Sequence, residues 1–133
     1  MAAFSDDQLL AIAQQFHDLS ISVKQFRLDR ISGGVPLDDP GNVQLLGLQL
    51  SLLNTSSSLY GQAAGVTLAD ADQAATQITA ATKQAIGAIK TLQAVNKVIN
   101  IASAAGVLAA AIMTGDMSQI GDAAKGVYTA ISS

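Results

Sequence analysis

The sequence predicts an all-α protein, an elongated antiparallel helical bundle that ends in an apolar helical hairpin, and three observations carry that prediction. Ile12, Phe16, Leu19, Val23 and Phe26 recur at four-three-four-three spacing, the seam of a bundle helix. No charge interrupts Val98 to Gly115, and a second apolar segment, Met117 to Ile131, follows the turn signal Thr114-Gly115-Asp116. The segments that alternate like strands are too few to bury one another in a sheet. At 133 residues the chain is expected to be one helical domain (1–133), with 1–96 as a three-helix body and 97–133 as the hairpin.

The first helix starts at Ser5. With Gln8 three residues on it forms a capping box, and Asp6 and Asp7 occupy the first turn, where the helix dipole favours negative charge. Arg27 and Arg30 suit the negative pole at the far end, and Gly33-Gly34 closes the helix. Leu19 to Val23 also alternates as a strand does, but the helical seam runs straight through it. The Gly33 to Pro40 loop holds both prolines of the chain.

Asp39 as cap and Pro40 at the first helical position open the second helix. No charge occurs from Pro40 to Ala69. Leu45, Leu46, Leu48, Leu50, Leu52 and Leu53 cover most of the circumference, so this helix is expected to be the most enclosed. Leu46 to Leu52 alternates as well, and helix is preferred because partner strands are lacking. The polar run Asn54 to Ser58 marks a bend or a polar layer, and Gly61 and Gly65 mark the end.

Thr67 is expected to cap the third helix, with Asp70 and Asp72 in its first turn. Lys83, Lys90 and Lys97, seven apart, form a solvated face. Ile78, Ala85, Ile89, Leu92 and Ile99 carry the buried side, which Thr82 and Asn96 interrupt, Asn96 as a candidate register-setting polar residue. Leu68 to Met113 holds no strong breaker, and an unbroken helix of about 46 residues would span roughly 70 Å, against roughly 40 Å for the first two. Either the helix breaks near Asn96 or its apolar half protrudes. In both cases the last helix, with Met117, Ile120, Val127, Tyr128 and Ile131, folds back over it.

Composition narrows the function. Hydrophobic residues make up 50% of the chain but aromatics only 4%, so Leu, Ile, Val and Ala must build the core. Charged residues are 13%, about half the usual share. All ten acids are Asp, and the net charge of −3 offers no basic field to a phosphate backbone, so nucleic-acid binding is not expected. Without cysteine there is no disulfide framework, thiol nucleophile or thiolate metal site. The single histidine, His17 beside Asp18, reads as a surface or boundary residue. Ser32-Gly33-Gly34 and Thr114-Gly115-Asp116 lack the spacing and lysine of a phosphate loop. Asp38-Asp39 and Asp70-x-Asp72 lack the ligand count of an EF-hand and read as caps. The expectation is a non-enzyme with no cofactor, metal or small-molecule substrate. Acidic residues stand where a secretory signal has basic ones, so the chain is expected in the cytoplasm or exported without a cleaved signal.

The hairpin carries the functional expectation. Its uncharged run of eighteen residues lies at the lower limit for a membrane-spanning helix, about 20 residues. Ala102, Gly106 and Ala110 fall four apart, the small-xxx-small spacing that allows close helix approach in a membrane or a soluble bundle. Val98, Ile101, Ala105, Leu108, Ile112, Met113, Met117 and Ile120 are the residues expected to contact a membrane or a partner. From about Lys97 to Ser133, the apolar helix, the Ala-Ala-Ile-Met-Thr-Gly-Asp turn and the second Ile/Ala/Gly helix resemble the apolar hairpin of α-helical pore-forming toxins of the cytolysin A type. That resemblance implies long helices bundled into a tail and a hydrophobic element that leaves the body to enter lipid. This chain is much shorter than members of that group, and the resemblance then implies one component of a multi-part toxin. The competing expectation is a soluble helical interaction or oligomerisation module, an assembly or secretion-associated subunit. Either way, so little surface charge points to a homo-oligomer or a partner protein.

Overall fold

Capping chemistry places the helices of this computed structural model, which describes residues 2–92 and 94–133. The described residues form helices α1 (Asp6–Ser32), α2 (Pro40–Ala63), α3 (Ala71–Thr91), α4 (Val95–Thr114) and α5 (Met117–Ser132), with two short strands, β1 (Ala2–Ala3) and β2 (Thr67–Leu68). The Ser5 hydroxyl accepts the Gln8 N–H at 3.1 Å while the Gln8 side chain accepts the Ser5 N–H at 2.9 Å, completing the capping box. Asp39, Asp70 and Asp116 accept N–H groups at the starts of α2, α3 and α5. Each turns a carboxylate toward the positive pole of its helix.

Consecutive helices run up and down, yet they do not simply sit side by side. The main contacts form a closed ring in the order α1, α2, α4, α5, α3 and back to α1. Lateral neighbours are therefore often parallel. Gln8 donates to Asp72 at 2.7 Å near the starts of α1 and α3, and Phe26 and Ile89 line one groove near their ends. Near the starts of α2 and α4 a Cβ on Gly41 would stand only 3.2 Å from Val95, so glycine permits that close approach. The α4–α5 hairpin is thus built into the ring between α2 and α3. Phe16, Leu52, Ile78, Ile101, Leu108 and Ile120 bring all five helices to one core, each with 0 to 1% exposure.

Four expectations need correction. Thr67 does not cap α3, because Thr67 and Leu68 pair with Ala3 and Ala2 in an antiparallel ladder and Asp70 takes the cap. The third helix ends at Thr91 and α4 starts at Val95, which meets the expected break near Asn96 but puts Lys97 on α4, so the lysine stripe does not run along one helix. Asn96 is exposed in the first turn of α4 and sets no register, whereas Thr82 is buried and donates its hydroxyl to the Ile78 carbonyl at 2.9 Å. The most enclosed helix is not α2: Leu46 and Leu50 are exposed, and only Leu45, Leu52 and Leu59 among its leucines are buried.

Gly115 closes α4 in the left-handed conformation, φ 67°, and a Cβ there would stand 2.8 Å from the Thr67 carbonyl oxygen. The turn thus packs against the β1–β2 ladder. Gly115→Ala is expected to lower stability by about 2–4 kcal/mol, combining the left-handed penalty with a forced backbone shift. A urea titration checks this, and a loss below about 0.5 kcal/mol would show that the contact with Thr67 yields freely.

Candidate functional site

Of the residues expected to meet a membrane or partner, Val98, Ile101, Ala105, Leu108 and Ile112 form a three-four-three-four seam on α4, each 0% exposed, and Ile120 on α5 is equally buried. Met113 and Met117 are half-buried against the same core. The seam therefore faces the ring. The opposite side of α4 carries Asn96, Asn100, Ser103, Val107, Ala110 and Thr114, all exposed and none charged. By length and composition α4 is able to cross a membrane, a property that core helices of soluble bundles share. Ala102 is buried, Gly106 half-buried and Ala110 exposed, and nothing lies within 4 Å of a Cβ built on Gly106. The small-residue spacing is therefore not used for close approach inside this fold. Beside it, Val107 and Ala110 share an open groove of about 480 Å³ with Gln119, Asp122 and Gly126 of α5.

A second surface lies on α2. Once Leu45, Leu52 and Leu59, seven apart, have turned to the core, Val43, Leu46, Leu50, Leu53, Ser57 and Tyr60 remain at three-four-three-four-three spacing. Val43 is 55% exposed, Leu46 38%, Leu50 47% and Tyr60 40%, with Leu53 half-buried between them. Single exposed apolar residues are ordinary, but a continuous stripe at coiled-coil spacing is not.

The surroundings of α2 hold that stripe in place. At its amino end Arg30 donates to Asp39 at 2.9 Å and to the buried Asn42 at 2.8 Å, while Asn42 donates to the Pro36 carbonyl at 2.8 Å. Midway, Arg27 donates to the Gln49 side chain. The polar run at 54–58 stays within α2: Thr55, Ser57 and Ser58 donate their hydroxyls to carbonyls four residues back, and Ser56 donates across to the Ala13 carbonyl of α1 at 2.8 Å. At the carboxyl end the neighbouring Asp6 carboxylate raises the pKa of the Tyr60 phenol by favouring its protonated form. The stripe itself holds no ionisable group except that phenol.

His17 lies partly exposed, 3.8 Å from the Asp18 carboxylate. No group of three or more His, Cys, Asp or Glu able to hold a metal occurs among the described residues. The acidic pairs singled out from the sequence are divided, with Asp39 and Asp70 serving as caps. The exposed α2 stripe is the feature that sequence reasoning missed, and its signal was present in the leucines left over after the seven-residue repeat. The chain matches no known protein family, no curated protein and no solved structure.

Proposed function

We propose that this protein is a non-enzymatic helical interaction module that associates through the exposed face of α2. One observation supports this above the others: four large apolar side chains at coiled-coil spacing are exposed on a helix that has no charged residue. Covering such a stripe is favoured by about 25 cal/mol per Å² of apolar surface removed from water. Sedimentation velocity at micromolar concentration, with apolar-dye binding alongside, tests the reading. Species larger than the monomer, or dye binding, should be lost in Leu50→Asp, an exposed position at which the fold is expected to survive. A monomer that binds no dye, or association that Leu50→Asp leaves intact, would remove the proposal.

A second reading is membrane activity of the α4–α5 hairpin, as a pore-forming toxin or toxin component of the cytolysin A type. It is favoured by the uncharged outer face of α4, because a hairpin that left the ring would present no charge on that helix beyond Lys97 in its first turn. Val107 and Ala110 are the informative positions, being exposed in the bundle and inside the bilayer if α4 spans it. Val107→Asp with Ala110→Asp should preserve folding yet cost about 2.5–3.5 kcal/mol per residue on insertion. Dye release from liposomes by the wild-type chain, alone or with candidate partner proteins, and its loss in the double variant are the expected results. No release by the wild type in any of those mixtures removes the membrane reading.

A further inference from the structure

We infer that the occupant of the exposed α2 face is α2 of a second copy of this chain, packed antiparallel about a twofold axis level with Ser51 and Leu52. The inference rests on the reading of α2 as an association surface. Closed twofold pairing places one patch against itself, so a self-complementary stripe is required. This stripe meets that requirement: reversed on a second copy it sets Val43 opposite Tyr60, Leu46 opposite Ser57 and Leu50 opposite Leu53. Each layer joins one position of each heptad type, with the four leucines at or beside the axis.

Side-chain volume and charge select this direction over the parallel one. A parallel pair would stack Ser57 on Ser57 and Tyr60 on Tyr60, leaving a gap in one layer and crowding the next. The antiparallel pair sets the small Ser57 against Leu46 and the large Tyr60 against Val43. Parallel packing would also bring Asp6, which lies beside Tyr60, next to its own copy. Antiparallel packing instead moves the two Asp6 carboxylates to opposite ends and opposes the helix dipoles. Since α2 carries no charged residue, two copies meet without stripping water from an ion, and a charged partner gains no attraction from this face.

The stripe is roughly 26 Å long and about 10 Å wide, giving about 300 Å² per copy. That is below the roughly 800 Å² per partner of standard stable complexes, so the dimer should dissociate on dilution from micromolar to nanomolar concentration.

Because the chain has no cysteine, single introduced thiols report the geometry directly. A spin label on Gly61→Cys is exposed and leaves the stripe intact. Pulsed electron spin resonance should read an inter-label distance of roughly 30 Å for the antiparallel pair, from nineteen residues of axial offset, against roughly 10 Å for a parallel one. In parallel, equal amounts of Leu46→Cys and Ser57→Cys are mixed, oxidised and separated by intact mass. The mixed dimer should exceed either self-linked dimer severalfold. The short distance with self-linked dimers overturns the antiparallel arrangement. A chain that is monomeric throughout, showing no inter-label coupling, overturns the second copy as occupant, and dye binding by that monomer would leave the α2 surface reading standing.

Discussion

Leu108→Asp is expected to abolish the folded state at 25 °C, while the same change one residue earlier, Val107→Asp, is expected to leave it intact. Leu108 is 0% exposed and Val107 is 61% exposed, so the pair asks for opposite outcomes from adjacent positions. Removing a buried leucine costs about 2–5 kcal/mol, and burying an unpaired carboxylate adds several more. The total rivals the roughly 5–15 kcal/mol that holds a domain of this kind together. Far-ultraviolet circular dichroism and a thermal melt check both variants. A folded Leu108→Asp with an unchanged melt would mean that α4 is not the inward helix described above. The comparison also governs any membrane test, because acidic substitutions at Ala105 or Leu108 would confound insertion with unfolding.

Phe16→Ala should cost about 3–5 kcal/mol, the second largest effect expected. Phe16 is the largest fully buried side chain and lies on the inner seam of α1, between Ile12 and Leu19, which are also 0% exposed. Its removal leaves a cavity that the ring closes only in part, because α1 is held laterally by both α2 and α3. Urea unfolding should show a lower midpoint at unchanged slope, and Phe16→Leu should lose less. A loss below about 1 kcal/mol for the alanine variant would indicate that α1 moves inward to fill the space.

The features that depend on neighbouring residues were legible in the sequence. Ser5 with Gln8, and Asp39 with Pro40, act within a single turn of helix, so the residues that signal these starts are those that make the bonds. On α4 the residues Val98, Ile101, Ala105, Leu108 and Ile112 were singled out from the sequence as membrane or partner contacts, and the structure turns them into the ring, a choice that apolar spacing alone does not make. What failed depended on distant partners. Thr67 became a strand because Ala3, far away in the chain, supplies the ladder. The end of α3 at Thr91 and the start of α4 at Val95 have no glycine or proline to announce them, and only helix length pointed to a break near Asn96. On α2 leucine is so abundant that composition could not separate the core face from the outer one. Only the positions of α1 and α4 decide that Leu45 points inward and Leu46 outward.

The ring order constrains how the chain finds its fold. Only α1 with α2 and α4 with α5 make sequential hairpins, while α3 is covered by α1 before it in the chain and α5 after it. During synthesis from the amino end, α1–α2 can close early and α1 can then receive α3. The face of α3 that meets α5 must wait until Met117–Ser132 has emerged. Parallel neighbours with a whole helix between them in sequence carry a loop-closure cost that no short turn can reduce, so ring closure should be the slow step of refolding. Until that step is complete, a nascent chain exposes α3 together with the outer stripe of α2, and it is then most prone to meet another copy in the wrong register.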